Sequence, residues 1–141
     1  MHFSQSLRQG AQALGKPLSE TQSNALATYQ ELLERWAPKV NLVGDARPET
    51  TVETHFVDSV AILRALPHRL DSLTDIGSGA GFPGLVLAIV APQCTVRLVE
   101  PIGKRASFLQ QVIARVGVPN ASVQIARSTE LATHSCEAVI S

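Results

Sequence analysis

The chain has little that would mark a secreted, membrane-spanning or strongly charged protein. Its 141 residues include 12 basic and 12 acidic side chains, so the formal net charge is zero. There is consequently no overall basic field to attract nucleic acid, and any such contact must come from a local patch. No hydrophobic run approaches the roughly 18 residues of a membrane span, and the first residues show no basic-then-apolar signal pattern.

Cysteine is also scarce. Cys94 and Cys136 are the two cysteines of the chain, and they do not form a C-x-x-C pair. We therefore expect buried, reduced thiols in a cytoplasmic protein rather than a disulfide framework. A metal site is not predicted either, since no further histidine or cysteine lies at ligand spacing from His55.

Glycine, in contrast, is concentrated in one stretch. Leu73–Gly84 reads LTDIGSGAGFPG, in which four of the twelve residues are glycine. We predict a strand, then a tight turn at Gly77, Gly79 and Gly81, because glycine reaches positive φ at little cost. A helix beginning at Pro83 would then point its free N–H groups at the turn, which favours an anion there. The pattern predicts a cradle for a nucleotide-like ligand at the carboxyl end of a sheet.

The spacing of the glycines indicates which ligand the loop would bind. A dinucleotide-binding G-x-G-x-x-G motif that begins at Gly77 would need glycine at position 82, and the chain has Phe82. The observed pattern, Asp75-x-Gly77-x-Gly79-x-Gly81, resembles the first motif of class I S-adenosylmethionine-dependent methyltransferases. That cofactor has no pyrophosphate, but it has a carboxylate and an ammonium group to hold.

A second feature lies one strand further along. Glu100 follows the apolar run Thr95–Val99, which we predict to be the next strand. An acid at that strand end can accept hydrogen bonds from both hydroxyls of a ribose. The alternatives are a glycine turn with a purely structural role and a solvated glutamate.

The chain as a whole changes pattern near residue 70. Residues 1–70 show helical periodicity, which predicts a small N-terminal helical region. Residues 71–141 alternate strands with helices, which predicts an α/β fold with a parallel sheet and right-handed crossovers. We predict strands at about 72–76, 95–100 and 122–125, and a fourth that is beginning at 138–140. We expect this to be the cofactor-binding half of a Rossmann-like methyltransferase domain, incomplete at its C-terminus.

With these residues placed, the chain resembles the glucose-inhibited division protein B family of bacterial small-subunit (16S) ribosomal RNA guanine-N7 methyltransferases. The resemblance runs from about Leu26 to the last residue, and its most specific part is the pairing of Gly-Phe-Pro-Gly with Gly-Lys-Arg. The motifs that carry it are Leu32–Trp36, Asn41–Leu42, His55–Ser59, Asp75–Gly84 and Gly103–Leu109.

The resemblance implies two groups of site residues and no catalytic acid or base. The residues expected to bind S-adenosylmethionine are Gly77, Gly79, Gly81, Phe82, Glu100, Ser128 and Thr129. The residues expected on the RNA side are His55, Asp58, Lys104 and Arg105. The family usually has an acid where this chain has Thr129, so the adenine contact there would depend on backbone N–H groups.

The implied reaction is a direct displacement at a nitrogen that carries no proton. N7 of guanine has an in-plane lone pair, so attack on the sulfonium methyl needs no general base. The protein must hold the two atoms in line, about 3–3.5 Å apart, and exclude water. The implied partner is small-subunit ribosomal RNA or the assembled small subunit, with neither a membrane nor a metal.

Two other functions remain as alternatives at this point. One is a nicotinamide- or flavin-binding oxidoreductase, which Phe82 disfavours. The other is a non-catalytic RNA-binding module. Because the chain ends inside its fourth strand, we expect a truncated chain that is inactive towards RNA when studied alone.

Overall fold

The structure is a computed structural model, and it describes residues 2–127 and 138–140. The predicted site residues Ser128 and Thr129, together with Cys136, lie outside the described residues. The predicted burial of Cys94 is confirmed.

The first third of the chain is helical. Helix α1 spans His2–Ala13 and helix α2 spans Glu20–Trp36. Helix α2 begins with a capping box. The Ser19 hydroxyl oxygen accepts from the Gln22 N–H at 3.1 Å, and the Gln22 side-chain oxygen accepts from the Ser19 N–H at 3.0 Å. Both exchanges satisfy amides that have no partner within the helix.

The third helical region is less regular than its periodicity suggests. It begins with α3 (Pro48–Thr51), passes through a π-helical turn (Val52–Val57), and continues as α4 (Asp58–Ala61) and a 3₁₀ turn (Ile62–Arg64). In a π-turn the hydrogen bonds join residues i and i+5, one residue further apart than in an α-helix. This turn includes His55.

The second half forms a four-stranded parallel sheet in the order β3-β2-β1-β4. Its strands are β1 (Ser72–Ile76), β2 (Thr95–Val99), β3 (Ala121–Gln124) and β4 (Ala138–Ile140). The crossover helices are α5 (Gly84–Val90) and α6 (Gly103–Val116). The predicted strand order in the chain and the parallel pairing are confirmed, with bounds that differ by a residue at most.

The helical region and the sheet share one hydrophobic core. Leu73 in β1, Val96 and Leu98 in β2, and Leu26 and Leu33 in α2 all belong to the same buried cluster. Helix α2 packs against both α5 and α6, and α4 packs against α5. This packing brings the N-terminal helices up to the loop that follows β1. No helix in the described part of the chain has the length and apolarity to cross a membrane.

Candidate functional site

The glycine loop after β1 has an open half. Gly77 and Gly79 adopt positive φ, at 73° and 55°. A Cβ placed on Gly77 would meet nothing within 4 Å, and one on Gly79 would meet only the Gly77 carbonyl oxygen, at 4.0 Å. The backbone of this half is therefore bordered by space that a ligand could occupy.

The other half of the loop is packed against the protein. Gly81 has a φ of 96°, and a Cβ there would clash with the Tyr29 hydroxyl and lie 3.0 Å from Leu109 Cδ2. A Cβ on Gly84 would clash with the Asp75 carboxylate and lie 2.7 Å from Asp75 Cβ. Protein packing alone accounts for glycine at these two positions, and the contact of Gly81 with cofactor stays a prediction.

The Asp75 carboxylate belongs to the start of α5. Its side chain is 1% exposed, and Oδ2 accepts a hydrogen bond from the Gly84 N–H at 2.9 Å. Burial raises the pKa of Asp75 to about 6, although the hydrogen bonds from Gly84 and Ser78 oppose the shift, and the nearby Glu100 adds to it. The sequence predicted that the first amides of this helix would be free for an anion. That expectation needs correction, since the first of them is used by Asp75.

Glu100 joins the two loops that border the open half. Its side chain is 2% exposed. One carboxylate oxygen accepts from the Gly79 N–H at 2.7 Å, and the other accepts from the Ile102 N–H at 3.0 Å. Each carboxylate oxygen has a further lone pair, so Glu100 keeps the capacity to accept from a ligand. It thus holds the loop after β1 and the loop after β2 together at the carboxyl edge of the sheet.

Phe82 lies in an aromatic stack that fixes the loop to the N-terminal helices. Its ring is parallel to that of Tyr29, with centroids 5.3 Å apart and an interplanar angle of 7°, and it also stacks on His55 at 4.9 Å and 23°. The Tyr29 hydroxyl donates to the Ala80 carbonyl oxygen. Burial and the nearby Asp75 raise the pKa of Tyr29, so it stays a donor. Tyr29 is fully buried and belongs to the hydrophobic core.

His55 and Asp58 line a small cavity of about 180 Å³ beside Phe82 and Pro83. The Ser59 hydroxyl donates to the His55 backbone carbonyl oxygen. Burial lowers the pKa of His55, and Asp58 only partly opposes this. The imidazole therefore favours its neutral form.

The two cations of the Gly-Lys-Arg motif differ in environment. Lys104 is exposed at the start of α6. Arg105 is half-buried, and its Nε donates to the Asn41 carbonyl oxygen at 2.9 Å. Arg105 therefore ties α6 to the segment after α2, which leaves Lys104 as the cation of this motif that faces solvent.

Comparison with known proteins gives a consistent result. The model of the GidB family, described as rRNA small subunit methyltransferase G, matches residues 22–141. A ribosomal RNA small subunit methyltransferase G from Leptothrix cholodnii is 40% identical over 126 residues, covering 86% of this chain and 58% of that protein. One from Rhodospirillum centenum is 42% identical over 115 residues, covering 81% and 52%. The chain spans about half the length of the curated relatives it matches.

A solved structure supports the fold independently. Coclaurine N-methyltransferase, bound to N-methylheliamine and SAH, superposes with a TM-score of 0.54 over 97% of this chain and 48% of its own, at 17% identity. The parallel sheet in the order β3-β2-β1-β4, with α5 between β1 and β2 and α6 between β2 and β3, is that of an α/β class I methyltransferase. Taken together with the family match over residues 22–141, the fold and the sequence show that the chain belongs to the rRNA small subunit methyltransferase G family.

Proposed function

We propose that the protein transfers a methyl group from S-adenosylmethionine to N7 of a guanine in small-subunit ribosomal RNA. The observation that carries the proposal is the open space beside Gly77 and Gly79, bordered by the buried carboxylate of Glu100. Membership of the family makes this activity the expected one. The cytoplasm, where small subunits are assembled, is the proposed location.

The residues present fit the cofactor. The backbone at Gly77 and Gly79 leaves the space that an added Cβ would begin to fill. The remaining lone pairs of Glu100 suit the two ribose hydroxyls. Gly81, Phe82, Ser128 and Thr129 complete the proposed set, of which Phe82 is held by its stacking between Tyr29 and His55.

The reaction requires the side chains to position the reactants and to exclude water. S-adenosylmethionine, when bound, supplies an electrophilic methyl group on a sulfonium. The guanine N7 lone pair forms the new N–C bond, and the electron pair of the breaking S–C bond remains on sulfur. No proton moves, so no residue of this chain acts as acid or base. Its residues bind, orient and exclude water, and holding two reactants in line can lower a barrier by several kcal/mol.

His55, Asp58, Lys104 and Arg105 are proposed for the RNA side. His55 and Asp58 share the cavity beside Phe82, next to the glycine loop. A neutral imidazole there can hydrogen bond to RNA without adding charge. Arg105 acts through the Asn41 carbonyl, which it holds, rather than by direct contact.

Two measurements test the proposal. Calorimetry should show binding of S-adenosylhomocysteine, and tritiated methyl groups should be transferred to small ribosomal subunits. Mapping the label to N7 of guanine would support the proposal, and label on an exocyclic amine or on protein would contradict it. Binding of a nicotinamide or flavin cofactor in place of S-adenosylhomocysteine would favour an oxidoreductase instead.

A further inference from the structure

A basic cavity lies where the end of α2 meets the start of α6. Its volume is about 460 Å³, and it is lined by Arg35, Trp36, Lys39, Val40 and Lys104. Three of these five residues carry a positive charge, and none is acidic. In a chain with zero formal net charge, this is a local concentration of one sign.

The three cations are available to a ligand. Arg35, Lys39 and Lys104 are all exposed. Within residues 2–127 and 138–140, none of the three cations forms an ion pair with an acid. The ion pair seen there joins Arg47 to Asp45. Of the acids on α2, Glu34 lines a separate cavity with Val43 and Arg47. None of the three charges is therefore held in an ion pair within the described residues.

Trp36 gives the cavity an aromatic wall. Its ring is half-buried and packs edge-on against Phe108, with centroids 5.7 Å apart at 63°. The ring is thus held from one side while it lines the cavity on the other. The residues next in sequence to Val40 and Lys104, which are Asn41 and Arg105, are joined by the bond from Arg105 Nε to the Asn41 carbonyl oxygen.

We infer that this basic cavity binds a single strand of RNA, with Arg35, Lys39 and Lys104 on phosphates and a base against Trp36. Cations that follow the backbone beside an aromatic ring are typical of single-strand binding. Lys104 lies four residues after Glu100, which limits the distance between them to about 14 Å. The strand would therefore pass beside the proposed cofactor site. The inference rests on the proposed function, because it takes RNA as the substrate.

The first test measures how salt weakens binding of a labelled single-stranded RNA of about 12 nucleotides. Each phosphate contact contributes about 0.7 to the slope of log affinity against log salt. Changing Arg35, Lys39 and Lys104 together to alanine should reduce the slope by about 2 and lower the affinity at least tenfold. The matched control changes Arg8, Arg64 and Arg115 to alanine, since these exposed residues carry equal charge elsewhere. An equal loss in both triple variants would show a net-charge effect and overturn the inference.

The second test uses Trp36 as a reporter, because it is the one tryptophan of the chain. A base stacked on the ring should quench its emission in proportion to the RNA bound. RNA that binds by anisotropy while the emission stays unchanged would contradict the inference. Binding of S-adenosylhomocysteine, measured on the same samples, separates the two proposals: its absence counts against the proposed function, whereas the salt slope and the quenching decide the basic cavity.

Discussion

Each half of the glycine loop contains two glycines, but the surroundings of the two pairs are opposite. Beside Gly77 and Gly79 a side chain would meet almost nothing, whereas at Gly81 and Gly84 it would clash with Tyr29 and Asp75. In the second half, glycine is needed so that the loop can pack on α2 and β1. In the first half, its proposed role is to let a ligand approach the backbone. On this proposal, a single motif serves binding and folding at different residues.

The two acids at the ends of neighbouring strands, Asp75 and Glu100, also differ in their surroundings. Asp75 is used within the protein, because it accepts from the first amide of α5. Glu100 accepts from Gly79 and Ile102, one residue from each loop that borders the open space. Asp75 therefore belongs to the packed half and Glu100 to the open half.

The largest expected effect comes from the packed half. Gly81→Ala introduces a Cβ that clashes with the Tyr29 hydroxyl at a φ of 96°. Overpacking, strain at positive φ and a weakened Tyr29 hydrogen bond together should cost about 5 kcal/mol of unfolding free energy. Chemical denaturation measures this. A loss below about 1 kcal/mol would show that the loop can move away and that the packed half is not rigid.

A substitution in the open half should instead remove binding. Gly79→Val places methyl groups in the open space, and we expect the affinity for S-adenosylhomocysteine to fall at least 1,000-fold, about 4 kcal/mol. Stability should fall by only about 1–2 kcal/mol, from strain at positive φ. The matched control is Gly117→Val, since Gly117 also has positive φ and open surroundings, at the end of α6. Calorimetry that shows unchanged affinity for Gly79→Val would place the ligand elsewhere.

Ionisation of Asp75, in the packed half, should make the unfolding free energy depend on pH. Its pKa is about 6 in the folded protein, against about 3.9 for an ordinary aspartate, so the folded state keeps the proton longer. The stability from this group is complete below about pH 4 and is lost as pH rises through about 6. The loss is about 3 kcal/mol. The Asp75→Asn variant should lack this loss of stability. The unfolding free energy of the wild type minus that of the variant should therefore decrease by about 3 kcal/mol from pH 4 to 7. A constant difference would mean that Asp75 is ionised throughout.

The smallest effect is expected at Glu100. Glu100→Gln replaces one acceptor oxygen by a donor and removes the charge, so the affinity for S-adenosylhomocysteine should fall by about 2 kcal/mol, roughly thirtyfold. The Glu100→Asp variant keeps the charge on a shorter side chain. Comparing it with Glu100→Gln distinguishes the effect of the charge from that of side-chain length. A loss below twofold for Gln would show that Glu100 holds the loops and not the ribose.

The regular parts of the fold could be predicted from local sequence. The strand bounds, the parallel order and the capping box at Ser19 follow from apolar runs and side-chain types that act over a few residues. The contacts that shape the site could not be found in this way. Tyr29 and Ala80 are 51 residues apart, and Arg105 and Asn41 are 64 apart, so only the packed structure brings them together.

Part of the site was predicted and part was not. The motif placed Gly77, Gly79 and Glu100 at one edge of the sheet, because parallel strands align their carboxyl ends. The use of Asp75 within the protein was missed, although its place two residues before the first glycine was a signal for it. The π-turn at Val52–Val57 was missed as well, because helical periodicity does not distinguish it from an α-helix.

The division of the glycine loop can be tested most directly by nuclear magnetic resonance of the backbone amides during titration with S-adenosylhomocysteine. Large shifts are expected for the amides of Gly77 and Gly79, which border open space, with a much smaller shift for Gly84, which packs against Asp75 and Leu98. The largest shift at Gly84, with Gly77 and Gly79 unchanged, would contradict this expectation, because the ligand would then lie at the start of α5 and not beside the open half.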